Sequence, residues 1–330
     1  MYVITIDTGT TNTRVSVWKD NDIIAKSFQP VGVRDTAISG SKNTLINGVK
    51  VAIDDAMKQA NISYNDPLIL LSSGMITSNV GLYELAHQIA PAGITELAQG
   101  MVKVDMPEVA EQPIWFVPGV RNNAAAVSAE NVEAMDIMRG EETEVIGVIQ
   151  SMNLQGPALI ILPGSHSKFI RIDEKNRITG CITTIGGELL DVITQNTILA
   201  SSLQHGFTDE IDSAALLQGY QTCQQVGLSR SCFSVRILDM FAHQSKNQKA
   251  NFLLGAVLSS DISAIKNSNA LNISSNMTIV IGGKKVLKDA FYTLIKEDKF
   301  FTGEIRVIDD NTKPLSGLGI MELARFKQIL

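Results

Sequence analysis

The chain has 330 residues, of which 45% are hydrophobic and 19% charged, and its formal net charge is −6 at pH 7. This length predicts two domains, and the acidic balance argues against a protein that coats nucleic acid. No apolar run reaches the roughly 18–20 residues that span a bilayer, so no membrane-spanning helix is expected.

The first residues and the cysteines favour one compartment. Residues 1–6 lack a basic leader and a small-residue cleavage site, so a signal peptide is not expected. Cys181, Cys223 and Cys232 cannot all pair, and none belongs to a metal-type CxxC motif. A reducing, cytoplasmic location is therefore predicted.

In the first half, short apolar runs alternate with polar turns. The glycines and prolines of residues 90–113 predict an irregular segment, and the weak pattern of residues 119–138 predicts a loop. Strands are predicted at residues 3–6, 15–17, 23–25, 68–71 and 114–117, and helices at residues 43–60, 79–89 and 140–150.

The second half begins with the same strand and turn pattern and then becomes mainly helical. Strands are predicted at residues 158–162, 170–172, 178–184, 277–283 and 305–308, and helices at residues 187–200, 209–226, 231–243, 249–265, 286–295 and 318–326.

An internal duplication is the most informative feature of the sequence. The hairpin that starts at Ile6 aligns with the hairpin that starts at Leu162, about half the chain apart. Two explanations are open: chance similarity between β-meanders, or two homologous halves that face each other across a cleft. The aligned pairs are Gly9 with Gly164, Thr10 with Ser165, Asn12 with Ser167, Val15 with Ile170, Val17 with Ile172, and Asn21 with Asn176.

In the second explanation, each half presents a glycine turn edged by hydroxyl groups. A tight turn exposes backbone N–H groups in a small nest that binds anions, and glycine lets the backbone approach a ligand closely. Two facing nests suit a polyphosphate. Asp7 would repel phosphate unless a cation lay between them, so we expect Asp7 to hold Mg²⁺ directly or through water. The sequence has neither a GxxxxGK[ST] motif nor a GxGxxG motif after the first strand.

Three segments resemble motifs of the actin, sugar-kinase and heat-shock ATPase superfamily. Residues 7–14 (DTGTTNTR) resemble the first phosphate motif, residues 163–168 (PGSHSK) the second, and residues 277–283 the strand and glycine turn that bind the nucleoside. The resemblance implies an α/β fold of the two-domain actin-like ATPase type (ribonuclease H-like), with the active-site cleft between domains at residues 1–145 and 146–330.

Four further stretches resemble one family, 2-dehydro-3-deoxygalactonokinase. They are residues 73–81, 138–143, 162–168 and 184–189. This resemblance implies phosphorylation of 2-dehydro-3-deoxy-D-galactonate at its 6-hydroxyl by ATP with Mg²⁺, as a step in galactonate catabolism. The expected partners are therefore ATP and a sugar acid, without nucleic acid or membrane. Whether the chain forms a homodimer is left open by the sequence, as are regulation and the substrate's stereochemistry.

The same motifs give the candidate binding residues. For the loop after the strand at 68–71, the alternative is a plain helix-capping turn. The candidates for ATP are Gly9, Thr10, Thr11, Asn12, Gly164, Ser165, His166, Ser167, Lys168, Gly282 and Gly283, and those for the sugar acid are Ser73, Gly74, Met75, Thr77, Ser78, Asn79, Arg139 and Arg14.

Arginine suits bidentate contacts with carboxylate or phosphate, which favours Arg139 and Arg14, although a lone arginine more often forms a surface ion pair. Lys168 fits a phosphate contact or a solvated strand position equally well. His87, His205 and His243 lack the spacing of metal ligands.

Glu141 and Glu142 are the candidates for the base that accepts the proton of the sugar hydroxyl. Helix capping explains one glutamate there, because acids are favoured at helix N-termini by about 0.3–1 kcal/mol. We prefer Glu142, with Glu141 second. Asp7 is the third catalytic candidate but is better placed for the metal.

Two other functions remain in competition, together with a kinase for a different 2-keto-3-deoxy sugar acid. The order of Gly-Glu-Glu, strand and glycine turn also resembles exopolyphosphatase and guanosine pentaphosphatase, which are hydrolases, although residues 73–81 and 163–166 fit them poorly. A sugar-sensing repressor usually carries a DNA-binding domain ahead of the first strand. Here a strand starts at residue 2, which disfavours a regulator.

Overall fold

Two mixed β-sheets with closely similar strand orders form the centre of the computed structural model, which describes residues 1–124, 126–309 and 311–330. The strands are β1 (Tyr2–Thr8), β2 (Thr13–Lys19), β3 (Asp22–Gln29), β4 (Leu68–Gly74), β5 (Gln88–Ile89), β6 (Val102–Val104), β7 (Ile114–Phe116), β8 (Val120–Arg121), β9 (Ile137–Met138), β10 (Ala158–Leu162), β11 (Ser167–Ile172), β12 (Ile178–Thr184), β13 (Thr278–Ile281) and β14 (Ile305–Val307).

Helices flank these sheets, and most of them belong to the second half of the chain. Short 3₁₀ turns occur at Met75–Thr77 and Val132–Ala134, and a π-helical turn at Leu238–Ala242. The α-helices are α1 (Val33–Ser39), α2 (Asn43–Ala60), α3 (Ile94–Gly100), α4 (Glu141–Met152), α5 (Gly186–Asn196), α6 (Ala200–Leu203), α7 (Ser213–Val226), α8 (Leu228–Ile237), α9 (Lys246–Asn267), α10 (Lys285–Glu297) and α11 (Leu315–Phe326). Within the described residues, none of the helices has the length and apolar character needed to cross a membrane.

The two large sheets confirm the internal duplication. One has the strand order β3-β2-β1-β4-β7-β6 and the other β12-β11-β10-β13-β14. In each, an antiparallel three-strand meander is followed by a parallel strand beside its first strand, β4 beside β1 and β13 beside β10. The aligned turn residues Asn21 and Asn176 both adopt left-handed backbone conformations, with φ of 69° and 57°. The predicted α/β class is also confirmed.

The predicted helix at residues 79–89 is wrong. The chain doubles back on the turn at Met75–Thr77, where the N–H of Tyr83 donates to the carbonyl of Ile76 (3.3 Å) and that of Leu85 to Thr77 (3.0 Å). These backbone bonds replace helical ones and bury Leu85. The segment therefore forms a compact irregular loop beside the end of β4.

The segment at residues 90–113, predicted as irregular, contains α3 and β6, and α1 also lies where no helix was predicted. Both helices start after a glycine whose N–H donates to a carboxylate three residues later: Gly32 to Asp35 (2.9 Å) and Gly93 to Glu96 (2.8 Å). The carboxylate satisfies a free N–H at the start of the helix, which stabilises a short helix despite a weak apolar pattern.

A third, small sheet of order β5-β8-β9 links the two halves. Beside it, Ala92 and Ile178 exchange two backbone hydrogen bonds (3.0 and 2.8 Å). The Asn122 side chain accepts from the N–H of Cys181 (2.9 Å) and donates to its carbonyl (2.8 Å). Segments from residues 88–138, including the predicted loop at 119–138, are therefore attached to β12, the edge of the second large sheet.

Helix α11 returns from the end of the chain to the first half. It packs against α4, and glycines allow the close approach: a Cβ on Gly319 would lie 1.8 Å from the carbonyl oxygen of Thr143, and one on Gly147 would lie 2.2 Å from that of Leu315. One core cluster includes Leu71 of β4, Ile160 of β10 and Ile320 of α11. The division into domains 1–145 and 146–330 stays a proposal.

Candidate active site

A cavity of about 690 Å³ opens between the two glycine turns and the start of α4. Twelve of the predicted site residues line it, from both halves of the chain. They are Asp7, Gly9, Thr10, Arg14, Gly74, Met75, Ser78, Asn79, Arg139, Glu141, His166 and Lys168.

The other predicted residues do not line this cavity, although most lie beside one that does. Gly282 follows β13, and its N–H donates to the carbonyl of Ile161 (2.9 Å) at the end of β10. The residues outside the lining are Thr11, Asn12, Ser73, Thr77, Glu142, Gly164, Ser165, Ser167, Gly282 and Gly283.

The two glycine turns are held in the same way. In the first, the carbonyl of Thr10 accepts from the N–H of Arg34 in α1 (2.9 Å), and in the second the carbonyl of Ser165 accepts from the N–H of Glu188 in α5 (2.9 Å). Among the described residues, the N–H groups of Thr10 and His166 have no acceptor. Fixed turns with unpaired N–H groups suit anionic oxygens.

Three carboxyl groups, those of Asp7, Glu141 and Glu144, meet on one side of the cavity. Burial raises the pKa of Asp7, the guanidinium of Arg14 at 3.7 Å opposes this, and Glu141 adds to it. Burial, followed by Asp7 and Glu141, raises the pKa of Glu144 to about 8. A cation bound beside these three carboxyl groups would stabilise their ionised forms.

Glu142 lies on a different face of α4 and is not among the residues that line the cavity. Its side chain is fully buried, and both carboxylate oxygens accept from the N–H of Gly140 (2.9 and 2.8 Å). Burial, then Glu141, raises its pKa well above the usual value. Of the two glutamates, Glu141 lines the cavity and Glu142 does not, which favours Glu141 over the predicted Glu142 as the base.

Gly74, at the end of β4, lets the loop approach Asp7. Its φ is 96°, and a Cβ there would lie 2.5 Å from the carbonyl oxygen of Thr8 and 3.2 Å from Oδ1 of Asp7. A side chain at this position would displace β1 or the carboxylate, so glycine is required for the geometry of the site.

Arg139 lines the cavity, and neighbouring residues hold its guanidinium in place. Its guanidinium donates to Oγ1 of Thr77 (2.9 Å) and to the carbonyl of Leu85 (2.7 Å), and it lies 3.5 Å from Nδ1 of His87. Thr77, predicted to contact the sugar acid, instead supports Arg139. With five N–H donors, the guanidinium retains donors for an anion.

His87 and Glu144 line the cavity but were missed as site residues in the sequence. Burial, then Arg139 and Arg121, lowers the pKa of His87 to about 4, so its imidazole is neutral at pH 7. Nothing local to the sequence around His87 signals this contact. Glu144 could have been identified from the sequence, because residues three apart share one face of a helix, as Glu141 and Glu144 do.

The donor set around Asp7 fits a magnesium ion that is held mainly by water and phosphate. The described residues contain no group of three or more His, Cys, Asp or Glu side chains arranged to hold a metal. Mg²⁺ usually keeps several waters and takes one or two carboxylates together with substrate phosphates. Asp7, whose side chain is 31% exposed and faces the cavity, can supply one such carboxylate.

Comparison with known sequences adds a family match. A family model described as 2-keto-3-deoxy-galactonokinase matches residues 7–318. A protein of Rhizobium meliloti strain 1021, provisionally named 2-dehydro-3-deoxygalactonokinase, is 27% identical over 215 residues. The match covers 65% of this chain and 63% of that protein, so the chain aligns with less than two thirds of its relative's length.

Solved structures support the fold. A provisionally named 2-dehydro-3-deoxygalactonokinase from Sinorhizobium meliloti superimposes with a TM-score of 0.76 at 22% identity, covering 99% of this chain and 100% of the other. Component A of (R)-2-hydroxyglutaryl-CoA dehydratase from Acidaminococcus fermentans gives a TM-score of 0.51 at 15% identity, covering 100% of both chains. The predicted actin-like fold class is confirmed.

Proposed function

The chain belongs to the 2-keto-3-deoxy-galactonokinase family, and on that premise we propose that it transfers the γ-phosphoryl group of ATP to the 6-hydroxyl of 2-dehydro-3-deoxy-D-galactonate. In this role it would act in galactonate catabolism. A cytoplasmic location stays a prediction, and whether the chain forms a homodimer stays open.

One observation carries the proposal. A single cavity brings together both glycine turns, the loop after β4, a cavity-facing carboxylate on α4 and the arginine at its start. A kinase for a hydroxyl group needs these parts: anion-binding turns for the phosphates, a polar wall for the acceptor, and a carboxylate between them.

For ATP, we assign the phosphates to the two glycine turns, residues 9–12 and 164–168. We assign the nucleoside to Gly282 and Gly283. The unpaired N–H groups of the turns would donate to phosphate oxygens. His166 is half exposed and pairs with Glu188 at 2.8 Å, so it can exchange this contact for a phosphate. The two turns would hold ATP from both sides.

For the sugar acid, we assign the carboxylate to Arg139 and the hydroxyl groups to Ser78 and Asn79. All three line the cavity, together with Gly74 and Met75. Arg14 lines the cavity beside Asp7 (3.7 Å) and the first turn, where it would contact phosphate rather than the sugar acid. This arrangement would direct the 6-hydroxyl towards Glu141.

In the reaction, the 6-hydroxyl oxygen would bond to the γ-phosphorus while the bond to the β–γ bridging oxygen breaks, which releases ADP. Glu141 would accept the hydroxyl proton. Bound Mg²⁺ would neutralise charge on the phosphate oxygens. Because the reaction needs little covalent help from the protein, accurate positioning would supply much of the rate.

Replacing Asp7 by asparagine should leave the fold intact and weaken Mg²⁺-dependent turnover. A neutral amide holds a hydrated dication less well than a carboxylate. We expect the Mg²⁺ concentration for half-maximal rate to rise about tenfold, as for the loss of a contact worth roughly 1.4 kcal/mol. Titration of the rate with Mg²⁺ measures this. An unchanged Mg²⁺ requirement would remove Asp7 from the metal site.

The substrate is tested by incubating the purified protein with MgATP and a panel of 2-keto-3-deoxy sugar acids that differ in stereochemistry at C4. We expect ADP formation to depend on the acid and kcat/KM to be highest for 2-dehydro-3-deoxy-D-galactonate. Phosphate release without a phosphorylated sugar would instead indicate the hydrolase, and a preference for another acid would indicate a different kinase.

A further inference from the structure

Lys168 is a buried cation whose ammonium is held by two neutral acceptors. Its residue is only 9% exposed. The ammonium donates to the carbonyl of Ile137 (2.7 Å) and to Oγ1 of Thr183 (2.6 Å). In the described part of the chain, no ion pair within 4.0 Å is found for it. Lysines are rarely buried unless paired, because desolvation of the charge is costly.

Both acceptors of Lys168 are themselves fixed. Oγ1 of Thr183 donates to Oδ1 of Asp136 (3.0 Å), so its lone pairs face Lys168. The N–H of Thr183 also donates to Oδ2 of Asp136 (2.5 Å). Ile137 belongs to β9 and Thr183 to β12, so the ammonium is held where the small sheet meets the second large sheet.

Among the residues that the structure describes, one N–H of Lys168 has no acceptor. An ammonium group has three donors, and two are used by Ile137 and Thr183. Lys168 lines the cavity together with Glu141 and His166. The site thus holds a rigidly placed positive charge with a spare donor, in a region where a polyanion is expected.

We propose that Lys168 is a catalytic residue that contacts the transferring phosphoryl group. The proposal rests on the proposed function. As the bond from the 6-hydroxyl oxygen to the γ-phosphorus forms and the bond to the bridging oxygen of ADP breaks, negative charge is spread over the equatorial oxygens of the phosphoryl group. The spare N–H of Lys168 donates to one of them, while Glu141 takes the hydroxyl proton. A preorganised cation costs no reorganisation at this moment.

Lys168→Met tests the contact, since it keeps the length of the side chain and removes its charge. We expect kcat to fall about 10²–10³-fold, the usual loss for one preorganised donor, with the KM values for ATP and sugar acid changed less than about threefold. Lys168→Arg should retain part of the rate. The matched control is Lys249→Met, which removes a buried lysine (5% exposed) that pairs with Asp239 and should leave kcat unchanged.

A second measurement does not depend on the sugar acid. MgADP with aluminium fluoride mimics the transferring phosphoryl group, and its affinity should fall at least tenfold in Lys168→Met, whereas that of MgADP alone should not. If folded Lys168→Met keeps kcat within threefold, raises only KM, or binds the mimic as tightly as the wild type, Lys168 has no such role. If no sugar acid is phosphorylated but the mimic still binds the wild type at least tenfold more tightly than Lys168→Met, the proposed function fails and the role of Lys168 stands.

Discussion

Replacing Glu141 by glutamine lowers kcat by about 10²–10⁴-fold, the usual range for the loss of a general base. Glutamine keeps the shape of the side chain and its hydrogen bond from the N–H of Arg139 (3.1 Å) but cannot accept a proton. The affinity for ATP should change little, because the turns that would hold the phosphates are unaltered. Steady-state kinetics with saturating ATP and sugar acid measure the effect.

Glu142→Gln is the matched control. Because burial raises the pKa of Glu142 well above its usual value, glutamine resembles its neutral form and can still accept from Gly140. We expect kcat within a few-fold of the wild type. The opposite ranking, with Glu142→Gln the slower variant, would return the base to Glu142.

The pH dependence gives the same assignment a second readout. Burial raises the pKa of Glu141, while Lys168 and the N–H groups of Glu141 and Arg139 oppose the rise, and Asp136 adds to it. Asp7 and Glu144 also face this carboxylate. The base must be ionised, so kcat is full above this pKa and falls as the pH drops through it. The fall should start at a higher pH than for a free glutamate and should be absent in Glu141→Gln.

Gly319→Ala destabilises the protein by about 3 kcal/mol, at the upper end of the usual cost of overpacking. The new methyl group would lie 1.8 Å from the carbonyl oxygen of Thr143, so α11 and α4 must separate. The higher helix propensity of alanine offsets only about 1 kcal/mol. Because Thr143 lies in α4 between Glu141 and Glu144, which both line the cavity, kcat should fall too. Urea denaturation measures the free energy of unfolding.

Gln150→Ala provides the comparison on the facing helix. Gln150 is exposed, and its side chain bonds to Glu322 across the surface (3.0 Å), so its loss should change stability by less than about 0.5 kcal/mol. Equal stability of Gly319→Ala and the wild type would show that α4 and α11 are farther apart in solution than in the structure.

Much of the fold could be predicted because its signals are local. Alternation of apolar residues located both meanders, and the predicted helix at residues 43–60 matches α2 (Asn43–Ala60). The loop after β4 could not be predicted from periodicity, because its backbone bonds run to the turn at Met75–Thr77 rather than four residues back along a helix.

The site was predictable only in part. The motifs located both turns, but the choice between Glu141 and Glu142 needed helical periodicity: Glu142 shares a face with buried Val145 and Ile146, whereas Glu141 shares one with Glu144. The neutral His87 and the buried ammonium of Lys168 depend on partners 52 and 31 residues away, respectively. Such contacts have no signature in a single sequence.

The attachment of Ala92 and Asn122 to β12 also bears on self-association. β12 is the edge of its sheet, and an uncovered edge offers a row of unpaired N–H and C=O groups to other chains. The backbone of Ala92 and the side-chain amide of Asn122 occupy such groups at Ile178 and Cys181. A fragment that starts at residue 146 would lack this cover, and we expect it to aggregate through β12.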